Sequence, residues 1–164
     1  MTDAIGLRPA TSADLEELVD VQQQGAVVGL AEVFPQDRYP FPRDEVLARW
    51  RREVADPAIR AYVAVDHDGR VSGFAATRGN ELLHFGTRVD TWSTGHAGRL
   101  LEAVLAELAV AAPEATEVWL RVFEANHRAR RFYERLGWRA NGVRTRTSFE
   151  PHPVLLEYRR RVGS

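Results

Sequence analysis

The chain has no cysteine and no lysine. Without cysteine, disulfides and thiolate-bound metals are excluded outright. The five histidines show neither HExxH nor another ligand spacing, so no metal site is expected. All 22 basic residues are arginine, which reads as the codon bias of a GC-rich genome and removes the lysine that a Walker phosphate loop requires. No apolar run approaches the length of a membrane span. The N-terminal "MTDAIGLRPA" lacks the basic-then-apolar layout of a signal peptide, so a cytoplasmic address with no membrane partner is the expectation. Net charge is also small, −1, and no overall field draws the chain to nucleic acid.

What is present suits one globular domain over residues 1–164, with 45% apolar and 27% charged residues. The charge is unevenly spread. Residues 1–120 hold 11 arginines against 19 acids, and 121–164 hold 11 against 4. A basic final third suits either a solvated arginine-rich surface or a small polyanionic ligand.

The spacing predicts a strand over 5–9, then a helix in "PATSADLEELVDV" ending or bending near 24, where Gly25 and Gly29 interrupt it. "EVFPQDRYPFP" is an apolar loop, and "RDEVLARWRREV" a second helix. Strands 61–66 and 71–77 flank the hairpin signal "HDGR", and 81–87 completes a meander. A long helix with Leu100, Leu101, Val104, Leu105 and Leu108 on one stripe stops at Pro113. A buried strand (117–123), a helix, and strands "GVRTRTSF" and "VLLEYRR" close the chain. This β-α-α-β-β-β-α-β-α-β-β order implies an α/β fold, a mixed sheet flanked by helices.

Two stretches carry chemistry. "TWSTGHAGRLL" (91–101) places Gly95, Ala97 and Gly98 where a turn enters a long helix. Small residues there either serve the turn or let an anion approach backbone N–H groups at the positive end of a helix. "ANHRARRFYERLGW" (125–138) has Asn126 as N-cap, Ala129, Phe132, Tyr133 and Leu136 on one face, and Gly137 as a left-handed stop. Periodicity alone leaves Tyr133 open as core residue or functional phenol.

"LRVFEANHRARRFYERLGW" resembles the last motif of the GNAT superfamily of acyl-CoA-dependent N-acyltransferases, Asn-x-x-Ala-x-x-Phe-Tyr-x-x-x-Gly-Phe/Trp. Asn126, Ala129, Phe132, Tyr133, Gly137 and Trp138 each match. The family's pyrophosphate loop, Gln/Arg-x-x-Gly-x-Gly/Ala, falls on 92–97. Gly95 and Ala97 match, whereas Trp92 stands where Gln or Arg is usual, and "RVDT" replaces the usual proline before the loop. The resemblance covers essentially the whole chain. It implies a mostly antiparallel sheet and transfer of acetyl from acetyl-CoA to a primary amine by direct attack, and it is compatible with a homodimer.

By the same resemblance, backbone amides around Thr94, Gly95, His96, Ala97 and Gly98 would hold the pyrophosphate. Phe85, Gly86 and Thr87 would pair with pantetheine, Asn126 would bond the cofactor arm, and Tyr133 would protonate the departing thiolate. Glu81 and His84 are candidates for the amine's general base. Phe34, Tyr39, Phe41 and His152, from loop 32–42 and the 150–153 turn, would line the acceptor pocket. The alternative is a GNAT-like module that binds acyl-CoA as a sensor without turnover, which Trp92 favours.

Overall fold

The structure, a computed structural model, describes residues 5–163. Seven strands form one sheet: β1 (Gly6–Pro9), β2 (Ile59–Val65), β3 (Val71–Arg78), β4 (Glu81–Thr87), β5 (Glu117–Phe123), β6 (Arg139–Arg146) and β7 (Val154–Arg161). Their spatial order is β1-β2-β3-β4-β5-β7-β6. Every neighbouring pair is antiparallel except β4 and β5. Helices α1 (Leu15–Gly29) and α2 (Arg43–Ala55) cover one face, burying Leu15, Leu18, Val46 and Trp50 against Val63, Phe74 and Ala76. Helices α3 (His96–Ala111) and α4 (His127–Arg135) cover the other, where the Leu100, Leu101, Val104 and Leu108 stripe meets Leu82, Leu120 and Tyr158. Alternation along the strands sends side chains into both cores.

Two boundaries differ from expectation by three residues or more. The last hairpin's first strand runs from Arg139 to Arg146, not from 142 to 149. Gly142, at φ 92°, makes a bulge there, and 147–153 forms the turn. Helix α1 continues past residue 24 to Gly29. Its glycines face the indole of Trp92, which an added Cβ would meet at 3.8 Å from Gly25 and 3.3 Å from Gly29. The glycines are thus explained by packing across the fold rather than by a helix stop. Gly25→Ala, at an ordinary contact distance, is expected to stabilise the protein by about 0.5–1 kcal/mol through helix propensity. Gly29→Ala presses on the indole and is expected to gain nothing. Chemical denaturation of the two variants checks this contrast.

Candidate active site

The parallel pair β4 and β5 is joined only at its start, where Glu81 lies opposite Trp119 and Leu82 opposite Leu120. Beyond Leu82 the strands part. The β5-facing edge of β4 from Leu83 to Thr87 therefore has no strand partner, although unpaired backbone groups inside a sheet are costly. The opposite edge carries a bulge: Thr77 lies opposite Leu82 and Ala76 opposite His84, leaving Leu83 as the extra residue. The result is a gap through the sheet between its two helical layers, edged by amides and carbonyls that an extended, amide-bearing ligand can pair with.

At the open end of the gap, 91–98 turns into α3. Gly95 is the N-cap residue at φ 87°, a left-handed conformation that glycine adopts without strain. The amides of Ala97 and Gly98 donate to no described residue, as first-turn amides of a helix commonly do not. Thr94 and Gly95 are exposed. His96 turns its ring back to β3, with Nε2 3.1 Å from Ser72 Oγ. Burial first, then the charges of Arg99 and Arg88, hold its pKa below the ordinary value. Its side chain serves the turn, and its backbone remains beside the unpaired amides. Among the described residues Arg99 and Arg128 have no carboxylate partner. Arg128, near the start of α4, instead lies over the Trp92 ring, 3.9 Å from its centroid.

Trp92 itself points inward. Its Nε1 donates to the Thr87 carbonyl at 3.1 Å, and its rings lie on α1. Gly86 lacks a side chain for a packing reason, because a Cβ would stand 2.5 Å from the Phe74 ring. Phe85 stacks on Phe132 with centroids 6.1 Å apart, which brings α4 against the gap. Asn126 Oδ1 caps α4 by accepting from Ala129 N at 3.2 Å. Its amide nitrogen has no partner among the described residues.

Tyr133 is 8% exposed and makes edge contacts with Phe132 and Trp138. Burial pushes its phenol pKa well above the ordinary value, with no hydrogen bond contributing. The phenol is therefore a held proton across the working pH range. Two candidates for base differ in their freedom. Glu81, 5% exposed, is paired with Arg78 at 2.9 Å at the closed end of the gap. His84 faces α2, where Nε2 meets Glu53 Oε2 at 2.8 Å and the ring packs on Trp50 at 4.9 Å. With Glu53 ionised, Nε2 is the donor and Nδ1 is left to accept. Burial lowers the His84 pKa, and the bond to Glu53 only partly counters that. For Glu53, burial alone raises the pKa, but His84 and Arg49 outweigh it and hold the carboxyl ionised.

The residues expected to line the acceptor pocket divide. Phe34 packs edge-on against Phe123 at the end of β5, 5.4 Å between centroids, and so reaches across the open gap. Phe41 packs into the α1/α2 core, and the Tyr39 backbone is held by Gln36 and Pro35 within its own loop. His152 is exposed, with Nδ1 3.1 Å from the Thr147 carbonyl of the same turn. Phe149 and Arg49, which sequence reasoning missed, do meet across the groove: the Arg49 guanidinium lies 5.8 Å from the Phe149 ring centroid. Arg49 reads in sequence as one more arginine on a polar helix face, and no local signal marks it.

A sheet parted between parallel strands, with an amide-rich helix entry at its open end, is the architecture of acyl-CoA-dependent acetyltransferases. The acetyltransferase (GNAT) family pattern matches residues 27–138, and the chain belongs to that family. It is 39% identical over 103 residues to an uncharacterized N-acetyltransferase of Mycobacterium bovis, a match covering 60% of this chain and 64% of that protein. The matched region thus spans somewhat under two thirds of the relative's length. Among solved structures, apo YjaB from Escherichia coli superposes with a TM-score of 0.72 at 19% identity, covering 99% of each chain. Spermidine N-acetyltransferase from Vibrio cholerae, in complex with CoA and spermine, gives 0.72 at 15% identity over 98% of this chain and 97% of that one. At these identities the likeness is one of fold. No helix among the described residues is long and apolar enough to cross a membrane.

Proposed function

We propose that this protein binds acetyl-CoA and transfers the acetyl group to a primary amine by direct attack. The carrying observation is the parted β4–β5 pair, which leaves a strand edge unpaired between an amide turn and a protonated phenol. The residues present fit the donor. The amides of Ala97 and Gly98, with Arg99 beside the turn, suit a diphosphate, and the β4 edge around Phe85, short of the Thr87 carbonyl that accepts from Trp92, suits the amide arm. The Asn126 amide nitrogen is free to donate to the same arm. The Trp92 indole lies over α1 rather than over these amides, which supports turnover over a purely sensing role.

Bound acetyl-CoA supplies a thioester carbonyl and a thiolate leaving group. Tyr133 holds the proton that the thiolate needs as the carbon–sulfur bond breaks. His84 Nδ1 accepts the proton that the amine loses as the carbon–nitrogen bond forms, and Glu53 fixes the ring and its tautomer. Free-thiol release from acetyl-CoA is expected to require an added amine. Release at the same rate without amine would mean hydrolysis and sink the reading.

The pH dependence follows from His84. It accepts a proton only while neutral, and its pKa lies below the ordinary imidazole value of about 6.5. Activity is therefore full above that value and lost as pH falls through the lowered pKa. Glu53 raises this pKa, so Glu53→Gln is expected to move the acidic limb to lower pH and reduce the plateau several-fold. An unmoved limb in kcat against pH would remove His84 from the role.

A further inference from the structure

We propose that the acceptor carries a carboxylate as well as its amine, and that Arg49 on α2 receives it. This rests on the acetyl-transfer reading above and specifies its second substrate. Residues from α2 and the β6–β7 turn approach each other over the groove, since β6 and β7 lie beyond β5 in the sheet. Arg49 spans that distance and sets its guanidinium beside Phe149. Its side chain is 28% exposed. Nε is shielded from water and makes no hydrogen bond, standing 3.8 Å from Glu53 Oε1. The terminal nitrogens have no hydrogen-bond partner among the described residues and stay open to the groove.

Glu53 gives His84 its Oε2 at 2.8 Å, while its Oε1 stays 3.8 Å from Arg49 Nε, an ion pair beyond hydrogen-bond distance. With His84 neutral the Arg49–Glu53 pair balances in charge, and what remains unused is the hydrogen-bonding capacity of the guanidinium, which meets no acceptor among the described residues. A guanidinium with a buried stem, an aromatic neighbour and a free fork matches the planar, two-oxygen geometry of a carboxylate. A single cation suits the one charge of a carboxylate better than the larger charge of a phosphate ester. A polyamine is disfavoured because its second cation would meet the Arg49 guanidinium at short range. Phe149 adds apolar surface beside the guanidinium for the rest of the acceptor. The substrate class is an amino acid with an apolar side chain.

The test uses the whole protein saturated with CoA, titrated calorimetrically with leucine, phenylalanine, isopentylamine, phenethylamine and spermidine. Thiol release from acetyl-CoA is measured for the same five compounds. The acids are expected to bind and turn over at least tenfold better than the amines lacking the carboxylate, and better than spermidine. Arg49→Met is expected to erase that preference, raising acceptor KM about tenfold with the KM for acetyl-CoA unchanged. Arg49→Lys should restore part of it. Equal use of acids and amines, or a preference that survives Arg49→Met in a protein with wild-type circular dichroism, overturns the proposal, as does absence of acid binding while CoA binds. Acid binding that depends on Arg49 without any thiol release would keep the anion site and overturn the transfer reading instead.

Discussion

Tyr133→Phe is expected to lower kcat about tenfold or more while leaving thermal stability and CoA affinity nearly unchanged. General-acid contributions run to roughly 10²–10⁴-fold, and a CoA thiolate leaves partly unassisted, which sets the lower figure. The ring fills the same space against Phe132 and Trp138 in both proteins. The hydroxyl makes no hydrogen bond to a described residue, so its loss costs at most about 1 kcal/mol. Burial keeps the phenol protonated, and kcat should show no descending limb from it at or below its ordinary pKa. Steady-state kinetics beside a melting curve separates the two roles. Full kcat in the Phe variant would make the hydroxyl incidental and leave Tyr133 a core residue.

Gly95→Val is expected to weaken CoA binding about tenfold or more, with a smaller loss of stability. Gly95 holds φ 87° at the entry to α3. A residue with a Cβ is strained there by roughly 1–2 kcal/mol. An added Cβ would also stand 3.1 Å from the Arg99 guanidinium, the far end of a flexible side chain that can move aside. The strain is relieved by turning the peptide, which takes the Ala97 and Gly98 amides off a common target. Calorimetric titration with CoA checks this. Equal affinity in wild type and variant would remove the turn from the diphosphate role.

What could be read from sequence was what the chain encodes locally. The cap at Asn126, the apolar face through Tyr133 and the stop at Gly137 lie within one helix. Their pattern is visible without knowing what packs against it. The glycine turn at 94–98 is local in the same way, but that its Thr94 and His96 amides are taken by the Thr91 carbonyl and the Thr94 hydroxyl is not visible in the spacing. The course of α1 past residue 24 is not legible in the sequence, because the surface its glycines meet, the Trp92 indole, lies more than sixty residues away. The His84–Glu53 pair joins residues 31 positions apart, and the partner of His84 is set by how α2 lies across β4 rather than by any spacing. The bond from the His152 ring to the Thr147 carbonyl depends on how the 147–153 turn folds back on itself, which composition does not show. Aromatic content predicted an apolar groove, whereas the arginine that crosses it became visible only once the two halves of the sheet were in place.

The most direct test is a single turnover with acetyl-CoA labelled in the acetyl group, quenched and resolved by mass in the presence of a competent amine. The label is expected in the amide product, with one free thiol per amide and no acetylated protein species, as direct attack in a chain without cysteine requires. Label accumulating on the protein ahead of the amide, or staying in acetyl-CoA whatever amine is added, would contradict the account.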